Sequence, residues 1–160
     1  GALICQLELP LEVVEAAVAR TAGFVCLNLA PAAPLPASLL ARADLIVVNE
    51  TQAAFYGPKL RETAALFALT LGATGAELYR RGELIAKAAP PRVKVADTTG
   101  AGDTFVAALV TALLEGQSEA KALAFACAAG AAAATRAGAQ TAAPPREEVD
   151  ALAKNGMMGS

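Results

Sequence analysis

The chain has 160 residues, with 13 Lys and Arg against 15 Asp and Glu and a formal net charge of -2. That length carries one domain with a hydrophobic core, and a pI of about 5.2 leaves no basic footprint for nucleic acid. Histidine is absent, which removes Ser-His-Asp and Cys-His catalysis and histidine-based zinc sites together.

In chain order, ALICQLE is a short apolar run that ends on polar residues and predicts a buried strand. LEVVEAAVART has helical spacing, with Pro10 near its start. GFVCLNL predicts a second strand, PAAPLPASLL a proline-rich connection into a short helix, and ADLIVVNE a third strand. ETQAAFYG reads as one or two helical turns closed by Gly57. KLRETAALFALTLG reads as helix first, then a short strand before Gly72. GAELYRRGELIAKA predicts a hairpin turning at Arg81-Gly82. RVKVAD predicts one more strand. Two helices follow, GDTFVAALVTALLEG and SEAKALAFACAAGAAAATRAG, the second with Ser118 as N-cap and Gly138 past its end. PPREEVDALAK closes the domain as a short helix, with residues 1–154 as the domain and 155–160 as a frayed or vector-derived tail.

Strands alternating with helices predict an α/β fold with a parallel sheet covered on both faces. Ligands in such folds sit beyond the carboxyl ends of the strands, so Glu8, Asn28, Asn49, Thr70 and Asp97 are expected at one sheet edge. The longest apolar tract, from Ala122 to Thr135, is too short and alanine-rich for a membrane span and reads as a buried helix. Cys5, Cys26 and Cys127 form no CxxC pair and read as buried free thiols of a reducing, cytoplasmic compartment. Asp44, Arg80, Arg81, Glu147 and Glu148 read as solvated surface.

The chemistry concentrates at DTTGAGDTF, from Asp97 to Phe105. Gly100 and Gly102 permit unusual backbone angles, and the helix that starts there leaves its first N–H groups without intrahelical partners. Those groups and the helix dipole suit a phosphate. The same dipole favours a carboxylate in the first turn, where Asp103 falls. Donors for developing negative charge beside a base for an attacking hydroxyl are what phosphoryl transfer requires. A plain turn with a capping Asp is the alternative. No Gly-Lys-Ser/Thr occurs, and Phe105 stands where a dinucleotide fingerprint needs its third glycine.

DTTGAGDTF resembles the second signature of the ribokinase-like (PfkB) carbohydrate kinases. QLE at Gln6–Glu8, LNLAPA at Leu27–Ala32, NET at Asn49–Thr51, TLGATG at Thr70–Gly75 and TRAGAQ at Thr135–Gln140 extend the resemblance from about Leu3 to Lys154. Within the family these motifs are most similar to the ribose-phosphorylating members. The resemblance implies a three-layer α/β/α sandwich with a mostly parallel sheet, truncated at the N-terminus, because family members are about twice as long. It implies ATP-dependent phosphorylation of a sugar hydroxyl, ribose to ribose 5-phosphate, with Mg2+ and a potassium-like cation. Asp103 would be the base and Gly100, Ala101 and Gly102 the anion hole. Asn49, Thr70, Leu71, Gly72, Ala73, Thr74, Gly75 and Cys127 would serve the nucleotide, and Glu8 the sugar. Asp97, Thr99, Ala133, Arg136 and Gly138 would hold the monovalent cation, with Ala142 standing where a serine ligand is common.

Three departures stand against this resemblance. Gln52 replaces the glutamate of the family's Asn-x-x-Glu motif, which weakens the expectation for magnesium. Only 21 positions separate Asn49 from Thr70, so one segment must serve as both helix and strand, or one of them is lost. The sugar-gripping half of the family fold is missing from this sequence. A nucleotide-binding half-domain or a structural remnant without catalysis therefore stays open beside a kinase, as does a homodimer or association with an N-terminal half. Neither nucleic acid nor membrane is an expected partner.

Overall fold

The computed structural model describes residues 1–63, 65–97, 100–136, 144 and 146–158. Contacts divide the chain into two compact units, one of Gly1–Leu71 with Glu77–Ile85 and the other of Gly72–Ala76 with the chain from Ala86 onward.

The first unit holds strands β1 (Ala2–Cys5), β2 (Phe24–Asn28), β3 (Leu45–Asn49) and β4 (Leu66–Thr70), with helices α1 (Leu11–Ala19), α2 (Ala37–Arg42) and α3 (Glu50–Tyr56) in the crossovers. All three successive pairings are parallel, with Cys5 opposite Leu27, Asn28 opposite Val47, and Asn49 opposite Thr70. A parallel strand buried on both faces needs an unbroken apolar run rather than alternation. LIVV of β3 and LFAL of β4 are such runs, buried throughout.

On one face Val25, Leu27, Leu29, Ile46, Val48, Phe67 and Leu69 meet Val14 and Val18 of α1 and Leu39 of α2. Each such fully buried side chain contributes roughly 1.5–3 kcal/mol of transfer free energy. Pro10 provides the extended N-cap of α1 (φ -54°, ψ 144°), and Gly57 ends α3 at φ 87°.

Strands β5 (Ala76–Arg80) and β6 (Glu83–Ala88) extend the sheet, whose strand order is that of the chain. Their link is Arg81-Gly82, both at positive φ (51° and 87°), the backbone a two-residue hairpin turn demands. So short a link makes the pair antiparallel, as does the five-residue link from β4 to β5. The sheet is thus mostly parallel with an antiparallel side.

The interval between Asn49 and Thr70 keeps both its elements. A 3₁₀ helix over Pro58–Glu62 replaces a full helix, and β4 still pairs with β3 along its whole length. Asp44 is a correction to the solvated-surface expectation. Its Oδ2 accepts from Val25 N at 2.8 Å and lies 3.3 Å from Arg42 Nη1, while Arg42 Nη2 donates to Thr21 O and Gly23 O at 2.8 and 2.9 Å.

The second unit carries helices α4 (Ala101–Leu114), α5 (Glu119–Ala134) and α6 (Arg146–Met158). Ser118 caps α5, its Oγ accepting from Lys121 N at 3.3 Å. α6 continues past Lys154, four residues into the segment expected as a tail. It is held to α4 by Arg146, whose two terminal nitrogens donate to both Glu115 carboxylate oxygens at 2.7 Å, and to the end of α5 by Arg136, bonded to Glu148 at 2.6 Å. Glu148 therefore also departs from the solvated-surface expectation.

The strand expected over Arg92–Asp97 does not form. Ala96 N and Asp97 N both donate to Ala134 O, at 2.8 and 3.1 Å, so this extended segment satisfies its donors on the last turn of α5 instead of on a neighbouring strand. No described helix is long and apolar enough to cross a membrane.

Candidate functional site

The carboxyl edge of the first unit gathers part of the expected site. Asn28, Asn49 and Thr70 end β2, β3 and β4, with Asn49 and Thr70 in register. Thr70 Oγ1 donates to Val48 O at 3.3 Å. Glu8 is exposed in the loop three residues beyond the end of β1, rather than on the strand itself.

That loop is tied to the next one, since Leu7 N donates to Ala30 O at 3.0 Å. The second loop is tied in turn to α3. Tyr56 Oη donates to Ala33 O at 2.7 Å and accepts from Ala33 N at 3.0 Å. Burial pushes the Tyr56 phenol above its ordinary range. Sequence reasoning missed Tyr56, because a lone tyrosine near a helix end carries no signal of its partner 23 residues away.

Asn49 and Gln52 form a reciprocal capping box at the start of α3. Asn49 Oδ1 accepts from Gln52 N at 2.8 Å, and Gln52 Oε1 accepts from Asn49 N at 2.9 Å. The Gln52 oxygen that would face a metal is thus engaged with backbone. Among the described residues no group of three or more carboxylates, cysteines or histidines could hold a metal ion. A protein-held magnesium does not fit these residues.

The second unit gathers the rest. Gly100 caps α4 in the left-handed region (φ 81°, ψ -6°), without a side-chain cap. Its carbonyl accepts from Thr104 N at 3.0 Å and Thr104 Oγ1 at 3.1 Å. Ala101, Gly102 and Asp103 therefore occupy the first turn of the helix. Gly102 and Asp103 are exposed, and a Cβ built on Gly102 would meet nothing within 4 Å. The side chain missing there leaves room against the backbone for a ligand.

Leu71 follows β4 directly, and Gly72, Ala73 and Thr74 form a 3₁₀ turn closed by Gly75 N donating to Gly72 O at 3.2 Å. Gly75 has φ 116° and packs so tightly that a Cβ would fall 2.0 Å from Ala88 O. Cys127 Sγ lies 3.8 Å from the same oxygen. Two residues expected at the nucleotide, Gly75 and Cys127, thus converge on Ala88. Burial pushes the Cys127 thiol up to about 12, which fits a packing role. Cys26 is likewise buried and pushed up to about 12, whereas Cys5 is only half-buried, short of the expectation.

Asp97 is brought to the end of α5 through Ala134 O, one residue from Ala133, whose carbonyl accepts from Arg136 N at 3.2 Å. Thr99, Gly138 and Ala142 lie outside the described residues.

Fold and turn together define an α/β protein with a glycine-started helix and a carboxylate in its first turn. A family model described as pfkB family carbohydrate kinase matches residues 1–146. The ribokinase of Haemophilus influenzae is 40% identical over 91% of this chain and 53% of its own length. The crystal structure of ribokinase from Thermotoga maritima superposes with a TM-score of 0.84 at 32% identity, covering 96% of this chain and 57% of that one. Arabidopsis thaliana ribokinase, solved in complex with ribose and ATP, also gives 0.84, at 29% identity over 96% of this chain and 55% of its own. The chain belongs to the pfkB family of carbohydrate kinases and has the ribokinase-like α/β fold. It spans about half the length of the curated relatives it matches.

Proposed function

We propose that the chain is the carboxyl-terminal, nucleotide-binding part of a cytoplasmic sugar kinase that moves the γ-phosphoryl group of ATP to a ribose hydroxyl. The observation that carries this reading is the pairing of Asp103 with a glycine-started helix turn at α4. Asp103 takes the proton of the sugar hydroxyl, that oxygen attacks the γ-phosphorus, and the bond to the bridging oxygen of ADP breaks. The first-turn N–H groups of Ala101, Gly102 and Asp103 face the charge that develops on the phosphoryl oxygens.

Asn49 and the Thr70–Gly75 segment serve the nucleotide, and Glu8 serves the sugar. A potassium-like ion would be held by backbone oxygens of Asp97, Thr99, Ala133, Arg136 and Gly138. Magnesium would arrive on the ATP phosphates, since it keeps most of its water and needs few protein ligands. The substrate assignment is supported by the Arabidopsis relative, which binds ribose and ATP. Three free cysteines support a reducing compartment.

The test is ADP release from ATP with magnesium, potassium and D-ribose, beside Asp103→Asn. Ribose-dependent turnover that falls at least 100-fold in the variant, with ATP binding kept, is the expected result. Equal turnover in both proteins would overturn the base assignment. ATP binding with no turnover in either would favour the second reading, a nucleotide-binding module.

A further inference from the structure

Helix α5 runs EAKALAFACAAGAAAA, with a single glycine at Gly130 inside an alanine-rich stretch. Glycine is the poorer choice there, because it costs the helix backbone freedom that alanine does not. Its φ is ordinary, so no turn requires it. What requires it is the neighbour. A Cβ on Gly130 would lie 3.3 Å from Ala101 O and 3.7 Å from Phe105 Cβ. The first of these is tighter than side-chain carbons ordinarily tolerate, and the atom it presses is a backbone carbonyl in the first turn of α4.

That carbonyl does not move alone. Ala101 C=O and Gly102 N–H belong to one peptide plane, which is rigid. A push of a few tenths of an ångström on the oxygen tilts the plane and re-aims the Gly102 N–H on its other side. Phe105, 6% exposed, is buried one turn along the same helix, its Cβ 3.7 Å from where a Cβ on Gly130 would stand.

We infer that Gly130 is a positioning residue for the anion turn: its missing side chain sets the orientation of the Ala101–Gly102 peptide, and with it the aim of the Gly102 N–H at a bound phosphate. This rests on the reading of that turn as the phosphate site. It explains why the alanine run from Ala128 to Ala134 is interrupted by a glycine.

The test is Gly130→Ala in the whole chain, read by amide NMR with ATP and magnesium as the probe. Ala120→Gly, at an exposed position of the same helix, is the control for helix propensity. In Gly130→Ala without ligand, the Gly102 amide resonance is expected to move while the melting temperature holds or rises. The ATP dissociation constant is expected to rise at least threefold. Ala120→Gly should lower the melting temperature and leave the Gly102 amide and the ATP affinity as they were.

Superimposable Gly102 amides in wild type and Gly130→Ala would overturn the inference whatever ATP does. A moved amide with unchanged ATP affinity would overturn its functional part. If ATP perturbs no first-turn amide of the wild type, the phosphate reading of the turn falls, and the role of Gly130 falls with it. A shifted amide with weakened ATP binding upholds both.

Discussion

Asn49 and Gln52 satisfy each other's backbone: Asn49 Oδ1 accepts from Gln52 N at 2.8 Å, and Gln52 Oε1 accepts from Asn49 N at 2.9 Å. The pair joins the end of β3 to the start of α3. Replacing Gln52 by Ala removes one of these bonds, at a cost of about 1 kcal/mol. A fall in melting temperature of about 2–4 °C is expected. Gln52→Glu keeps an acceptor oxygen for Asn49 N and should melt close to wild type. It adds a carboxylate at that edge, so the preference for magnesium-loaded over free ATP should increase, measured as the ratio of the two dissociation constants. An unchanged ratio would show that this edge does not meet the metal-bearing phosphates.

Gly75 tolerates no side chain. A Cβ would fall 2.0 Å from Ala88 O, at a backbone φ of 116° that L-residues rarely adopt. Gly75→Ala is expected to lose roughly 2–4 kcal/mol of stability. Urea unfolding should show a lower midpoint with an unchanged slope. A midpoint equal to wild type would mean that the turn relaxes freely.

Asp44, though partly exposed, also serves backbone. Its Oδ2 accepts from the N–H of Val25, a fully buried residue of β2. Asp44→Ala leaves that donor without its partner, at a cost of about 1–3 kcal/mol. Asp44→Asn keeps an acceptor and should lose less than half as much. Equal losses in the two variants would assign the effect to the Arg42 ion pair instead.

The buried thiols give the chain an alkaline limit. Burial raises Cys26 and Cys127 from 9.0 to about 12, so the folded state keeps protons that the unfolded state releases between those values. Their contribution is whole below pH 9 and falls as pH rises toward 12, by about 1.4 kcal/mol per pH unit for each thiol. Melting temperature measured from pH 8 to 11 should decline, and less steeply in Cys127→Ala. At pH 8 a thiol reagent should label the native chain at Cys5 alone and the unfolded chain at all three cysteines.

Much of this could be read from the residues. The unbroken apolar runs announced β3 and β4, the Arg81-Gly82 pair announced the hairpin, and Ser118 announced the start of α5. Reading failed where a residue's partner is distant in the chain. RVKVAD has the alternation of a strand, but its last donors go to Ala134 at the end of a helix. Asp44 and Glu148 look like surface charges until Val25 and Arg136 are seen beside them. The short stretch between Asn49 and Thr70 gave no sign that its helical part after Gly57 would be a 3₁₀ turn. Gly130 carries no signal in the sequence, because the carbonyl it admits belongs to another helix.

The order of the strands has a consequence for how this sheet comes into being. Every strand lies beside its predecessor in sequence, and the parallel pairings each bridge only about twenty residues, as from Ala2 to Phe24 and from Leu45 to Leu66. No strand has to be threaded between two that are already joined. The sheet can grow by accretion, each newly made strand finding a finished edge waiting, and the entropy of each closure stays small and nearly equal from step to step. During synthesis the emerging chain could therefore fold in the direction in which it is made.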